Sequence, residues 1–273
     1  MRRAATIEAR TAFDPLRRAV EAADRFAAVA EGLDASSLDR PVPTCGRWTV
    51  RDLVAHVSTV GGWYVDVIDG VGHFASTPRE IDVINATNLE KVRERPVAEL
   101  ANSVRQGARL LAERLGTMRS DELVSYHAGS ALRPEEIMTM FHCDVLVHGY
   151  DLARAASTPW TIPTDEAVAA FDAMMPLSPR WVDHDAAAGH NANYEIRLRG
   201  GPAYFVSFSD GEPTTNVEPG ERIDCHIAGD PATLLLVMVR RISTIRAAAT
   251  GKSIAWGRRP WLAFSFTGRF QPL

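Results

Sequence analysis

The 273-residue chain contains only three cysteines, Cys45, Cys143 and Cys225. An odd number scattered over this length argues against a disulfide framework and for a reducing compartment. No stretch of roughly 18 consecutive apolar residues exists, so no membrane-spanning helix is expected. Positive charge is not in excess: 30 Lys and Arg against 34 Asp and Glu leave a net charge of −4. Such a balance gives no electrostatic footing for nucleic acid. Arg2 and Arg3 are not followed by the apolar stretch of a secretory leader. Internal repeats and low-complexity segments are also missing. These absences describe a cytoplasmic protein without nucleic-acid or membrane partners, a monomer or homodimer. With 46% hydrophobic residues, it can bury one large core or two modest ones.

What is present is a set of metal-ligand residue types at suggestive spacing. Asp144 and His148 stand four apart, roughly 40° around a helix and one turn along it. A surface hydrogen bond is the ordinary meaning of such a pair. Here Phe141, Val145, His148 and Leu152 form one apolar stripe with Asp144 beside it, so the pair points toward the apolar side. Leu53, His56, Val57 and Val60 form a similar stripe on another segment. Buried polar groups need partners, and two imidazoles with a carboxylate satisfy one another through a divalent ion such as zinc.

Periodicity predicts helices over 14–33, from about 49 to 67, over 80–93, after Pro96 through Leu115, and over 134–155. Pro134 suits a first helical turn, with Glu135 and Glu136 at its positive end. Long amphipathic helices with moderate loops indicate an antiparallel bundle, whose inward side chains build metal sites. A further helix is expected over 165–175, then an irregular stretch over 176–192. From Tyr194 the apolar period drops to two, and strands are expected at 194–198, 203–208, 222–227 and 262–266, with one helix over 231–250. The boundary falls near residue 180, giving domains 1–180 and 181–273. The fold class is therefore an α bundle followed by a small α+β domain.

Trp48-Thr49-Val50-Arg51-Asp52-Leu53-Val54-Ala55-His56, after the turn-rich run at 41–46, resembles the first ligand helix of the DinB-like superfamily. Asp144 through Val147-His148-Gly149-Tyr150-Asp151-Leu152 resembles the second ligand helix of its mycothiol-dependent maleylpyruvate isomerase and thiol S-transferase branch. Ile227-Ala228-Gly229-Asp230-Pro231, Thr250-Gly251-Lys252 and Trp256-Gly257-Arg258-Arg259-Pro260-Trp261 look like the sterol-carrier-like domain that many members append. The resemblance implies a DinB-like antiparallel four-helix bundle, with His56, Asp144 and His148 as metal ligands. It also implies zinc as cofactor and mycothiol as a thiol cosubstrate. One departure matters: the middle ligand of the family is usually Glu, and Asp144 is a methylene shorter.

The activity implied is addition of a metal-held thiolate to a small electrophilic substrate. Rotation and expulsion of the thiol give isomerisation, while retention of the sulfur gives transfer. A non-catalytic lipid or small-molecule carrier and a zinc-water hydrolase are the alternatives. The chain offers no nucleophile on the ligand face: Cys143 sits about 100° away on its helix, and Cys45 reads as a structural loop residue. Asp151, three after His148, is a candidate to orient it, and Arg241 or Arg259 to bind a carboxylate substrate. Trp63 and Asn85 are the candidate cofactor-binding residues. His142 reads as a helix-surface or outer-sphere residue, His73 as a visitor to the pocket mouth, and His127 has no partner spacing.

Overall fold

Asp14 caps the first helix by accepting a hydrogen bond from Arg17 N, and Pro15 follows in the first turn, where a missing N–H costs nothing. The computed structural model describes residues 13–216 and 222–271; the N-terminal segment read above for a leader lies outside them. Contacts divide the chain into two compact units, one of residues 14–162 and one of residues from 163 onward.

The first unit is built from five helices: α1 (Pro15–Glu31), α2 (Val50–Ile68), α3 (Pro78–Glu90), α4 (Val97–Gly116) and α5 (Pro134–Ala155). α1, α2, α4 and α5 form a four-helix bundle in which α4 and α5 each pack against both α1 and α2. The small inward residues Ala19, Ala22, Ala23, Ala27 and Ala30 of α1 flank Phe26, all fully or almost fully buried. α2 and α4 touch through glycine: a Cβ on Gly61 would lie 2.6 Å from the backbone of Gly107. Gly149 of α5 plays a similar part, because a Cβ there would fall 2.1 Å from the Trp160 ring. That ring is fixed by its Nε1–H donating to Leu146 O at 3.0 Å and by the Arg25 guanidinium 5.0 Å above it.

Between α4 and α5 lies a hairpin, β1 (Val124–Tyr126) and β2 (Ser130–Leu132), paired antiparallel. It was not expected, because three residues per strand are too few to show a period of two. The Tyr126 and Tyr64 hydroxyls meet at 2.9 Å and tie this hairpin to α2.

The second unit contains α6 (Thr164–Met174), a 3-10 segment Met175–Trp181, α7 (His184–Ala187), and a five-stranded mixed sheet with α8 (Pro231–Met238) and α9 (Thr244–Ala249). The strands are β3 (Ala192–Leu198), β4 (Ala203–Ser209), β5 (Glu212–Asn216), β6 (Cys225–Gly229) and β7 (Ser253–Trp256), in the order β5-β4-β3-β6-β7. β3 and β6 are parallel and the other pairs antiparallel. Tyr194, Ile196 and Leu198 are buried on one face, as their alternation predicted. The division between units comes at Pro163, ahead of the boundary read near 180, because α6 packs against α8.

Three expectations for this unit need correction. The single helix over 231–250 is broken: Arg240 takes a left-handed backbone, φ +59. Arg240 N and Arg241 N then bond Val237 O and Leu236 O, closing α8. Ser243 restarts the chain as α9 by accepting from Arg246 N. The strand expected at 262–266 is a 3-10 turn, Pro260–Phe264, with Trp261 and Phe264 exposed and Leu262 and Ala263 buried. Two strands were not anticipated, β7 and β5; Pro213 disguises β5, which tolerates it as an edge strand. Between sheet and helices, Ile196, Ile227, Leu234, Val237, Met238 and Phe266 line a cavity of about 20 Å³. That is space for about one water-sized molecule.

Candidate metal centre

The connector before α2 folds back on itself. Pro41 bridges to Thr49, Val42 N donates to Trp48 O at 2.9 Å, and Trp48 N donates to Cys45 O at 3.2 Å. Gly46 supplies the positive φ, +64, that this tight turn requires. Cys45 and Trp48 are thereby placed beside the first turn of α2. Thr49 and Asp52 form a reciprocal capping box there, and Arg93 Nη2 holds Asp52 Oδ1 at 3.0 Å. From this fixed start, one turn further along, His56 points into the bundle and is buried.

α5 brings Asp144 and His148 to the same place. His148 Nε2 lies 3.4 Å from Asp144 Oδ1. One ligand-type atom from each of His56, Asp144 and His148 lies within 4.8 Å of the others. The two imidazoles stand edge to face with centroids 5.1 Å apart, and the Trp48 ring covers both, at 4.7 Å from His56 and 6.3 Å from His148. Asp144 keeps a side-chain exposure of 33%, so the group opens toward solvent on its side. His56 Nδ1 is buried without a hydrogen-bond partner among the described residues.

Burial and neighbouring charge move the pKa values of the two histidines in opposite directions. Burial, reinforced by the neighbouring His148, lowers the His56 pKa to about 4, against a smaller upward pull from Asp144. Burial also works against the charged form of His148. There the Asp144 charge, with hydrogen bonding to Asp144, Asp151 and Cys45, outweighs it and raises the pKa well above the ordinary value. His56 is therefore a neutral imidazole, ready to donate a lone pair.

A second layer stands behind His148. Asp151 is 3% exposed. Its Oδ1 accepts from Thr44 Oγ1 at 2.8 Å, its Oδ2 accepts from Cys45 Sγ at 3.5 Å, and His148 Nδ1 lies 3.5 Å from the same Oδ2. Cys45, His148 and Asp151 are thus a contiguous second group, and Cys45 belongs beside the site and not to a remote structural loop. Its sequence signal was the three-residue distance to Trp48 just ahead of the α2 cap.

On the Asp144 side, Trp63 and Tyr64 of α2 join Phe74, Tyr126, His127 and Phe141 in an aromatic cluster. Burial first, then Tyr126 and Asp144, raise the Tyr64 pKa, so its hydroxyl stays protonated. Asn85 lies half-buried on α3, and Asn88 nearby accepts from Lys91. His142, read as a surface or outer-sphere residue, is 1% exposed and belongs to the core. His73 pairs with Glu80 at 2.7 Å on the exterior. Cys143 is buried, as its position off the ligand face required. Arg241 and Arg259 belong to the sheet unit, where Arg241 donates to Val239 O and Arg259 to Asn191 O, each at 2.9 Å. Sequence reasoning missed Trp48, Thr44, Tyr126 and the burial of His127, which depend on a turn and a hairpin without periodicity.

Residues 19–153 match the family described as mycothiol maleylpyruvate isomerase N-terminal domain. The fold resembles a crystal structure of mycothiol-dependent maleylpyruvate isomerase with a TM-score of 0.56 and 14% identity, over 88% of this chain and 91% of that one. A histidine-to-alanine variant of that isomerase matches with the same values. No curated protein sequence matches at a significant level. No described helix is long and apolar enough to cross a membrane.

Proposed function

The chain belongs, through residues 19–153, to the mycothiol maleylpyruvate isomerase N-terminal domain family, and on that premise we propose that it is a metal- and thiol-dependent enzyme. The proposed activity is on a small electrophilic substrate, by cis–trans isomerisation of the maleylpyruvate type or by thiol S-transfer, with mycothiol as the low-molecular-weight thiol. The observation that carries this reading is the convergence of His56, Asp144 and His148, with ligand atoms within 4.8 Å and a buried ring nitrogen lacking a hydrogen-bond partner among the described residues.

The donor set fits zinc: two nitrogens and one carboxylate oxygen, with room left for a further ligand. A zinc ion held there would keep a small thiol ionised at neutral pH. The chain's own residues have distinct parts. His56 offers a lone pair without first losing a proton. Asp144 supplies negative charge on the open side and draws His148 toward the same point. Asp151 Oδ2 stands 3.5 Å from His148 Nδ1, and Nε2 of the same ring faces Asp144. Trp48 covers the two rings, excluding water from one flank. The same proposal places the protein in the reducing cytoplasm.

The test is thiol dependence in a chain without its own thiols. A Cys45→Ser, Cys143→Ser, Cys225→Ser variant is expected to fold and bind zinc, since a serine hydroxyl at position 45 can still donate to Asp151. Its turnover of maleylpyruvate or a related electrophile should rise and saturate with added mycothiol. Loss of activity with native circular dichroism and metal content would make the nucleophile internal. Turnover independent of thiol would instead indicate metal-activated water.

A further inference from the structure

Charge and exposed apolar surface are segregated in this chain. From Pro231 to Leu273 it carries seven Lys and Arg and no Asp or Glu, while the residues before Pro231 carry 23 Lys and Arg against 34 Asp and Glu. The net charge of −4 averages the two parts. The same stretch holds the exposed large aromatic side chains of the described residues, Trp256, Trp261 and Phe264, and with them Ile245 and Ile254. Edge strand β7, helix α9 and the 3-10 turn Pro260–Phe264 touch one another pairwise, so these five residues gather at one edge of the sheet unit.

Packing behind them holds these side chains outward. Positions three apart eclipse in a 3-10 helix, so Trp261 and Phe264 share one side, while Leu262 and Ala263 between them are buried. Ile254 and Trp256 stand two apart on β7 and share a face of the sheet. Trp256 is fixed there by stacking on His226, with centroids 5.0 Å apart and planes 7° apart. Two cations stand among the apolar residues: Arg246 follows Ile245 on α9, and Lys252 is exposed in the turn that Gly251, φ +68, makes into β7. Arg258 and Arg259 are paired with Asp224, but among the described residues Arg246 and Lys252 have no carboxylate partner.

We propose that this edge docks on an anionic lipid membrane, a surface contact made without any spanning helix. Trp and Phe side chains enter the headgroup region of a bilayer, and Lys and Arg beside them stay with the lipid phosphates. Exposures of 69%, 60% and 58% at Ile245, Trp261 and Phe264 mean side chains that stand out from the surface. Such side chains insert between headgroups, whereas a peptide or helix partner needs a groove to lie in. A second copy of the chain is the wrong occupant, because a two-fold contact across β7 would set Arg246 and Lys252 against their own like charges. Whole-chain charge and the lack of a spanning helix do not bear on a peripheral contact of this kind. The inference stands apart from the metal centre, whose residues lie in the other unit.

The measurement is co-sedimentation of the zinc-loaded full chain with vesicles. Binding is expected to vesicles of phosphatidylcholine and phosphatidylserine in equal parts, and roughly 10-fold or more weaker binding to phosphatidylcholine alone. Arg246→Gln with Lys252→Gln should lower the partition coefficient roughly 10–30-fold, the effect of two unit charges near an anionic surface. Trp261→Ser with Phe264→Ser should lower it at least as far, through lost apolar burial. Zinc content should be unchanged in both. A parent that stays in the supernatant with the anionic vesicles overturns the proposal, and its retention on immobilised polyglutamate would then assign the edge to an acidic protein. Either double variant sedimenting like the parent also overturns it. Should the aromatic variant not fold, the tryptophan fluorescence of the parent decides: brominated phosphatidylserine should quench it, and unquenched fluorescence overturns the insertion.

Discussion

Asp144→Ala is expected to weaken zinc binding by more than the roughly 10–100-fold that loss of an outer partner costs, while Asp144→Glu retains it. The carboxylate lies 3.4 Å from His148 Nε2 and within 4.8 Å of the ligand atom of His56. It is the only negative charge in that donor set, so alanine leaves two imidazoles to hold a dication. Glutamate adds a methylene on a side chain that is one-third exposed, and the open flank accommodates the extra length. Competition with a chromophoric zinc chelator gives the affinities, and circular dichroism confirms the helices. Parent-like affinity in Asp144→Ala would mean that the carboxylate does not touch the ion.

Asp151→Ala should reduce zinc affinity by roughly 10–100-fold, through loss of a carboxylate that stands 3.5 Å from His148 Nδ1, the ring nitrogen away from Asp144. The buried carboxylate gathers Thr44, Cys45 and His148 Nδ1. Removing it frees the imidazole to rotate and deletes the acceptor of the half-buried Thr44 hydroxyl. Asp151→Asn retains an oxygen for Thr44 and should fall between alanine and the parent. Chelator competition, read with the urea unfolding midpoint, separates the two effects. Unchanged zinc affinity alongside lowered stability would make Asp151 a packing residue only.

The bundle and the convergence of His56, Asp144 and His148 were legible in the sequence because both depend on a period of 3.6. The apolar stripes around His56 and His148 placed those side chains inward, and Pro134 marked the start of α5 to the residue. The helices read by periodicity from Asp14 and from about 49 begin at Pro15 and Val50, where Asp14 and Thr49 cap them. What escaped was set by turns and tertiary contact. Cys45 and Trp48 reach the site through a glycine-supported turn, and His127 enters its aromatic cluster through a hairpin of three-residue strands. In the sheet unit, an apolar run that reads as one helix is interrupted where Arg240 adopts a left-handed backbone. Nothing in its composition signals this, because arginine is a good helix former.

Elemental analysis of the purified full chain tests the central claim most directly. Expressed with zinc in the medium and desalted, the parent is expected to carry about one divalent ion per chain, the stoichiometry of a single three-ligand centre. His56→Ala and His148→Ala, each shown to be folded by circular dichroism, should carry only a small fraction of that. A parent without metal, or both variants retaining the parent's full complement, would contradict the account.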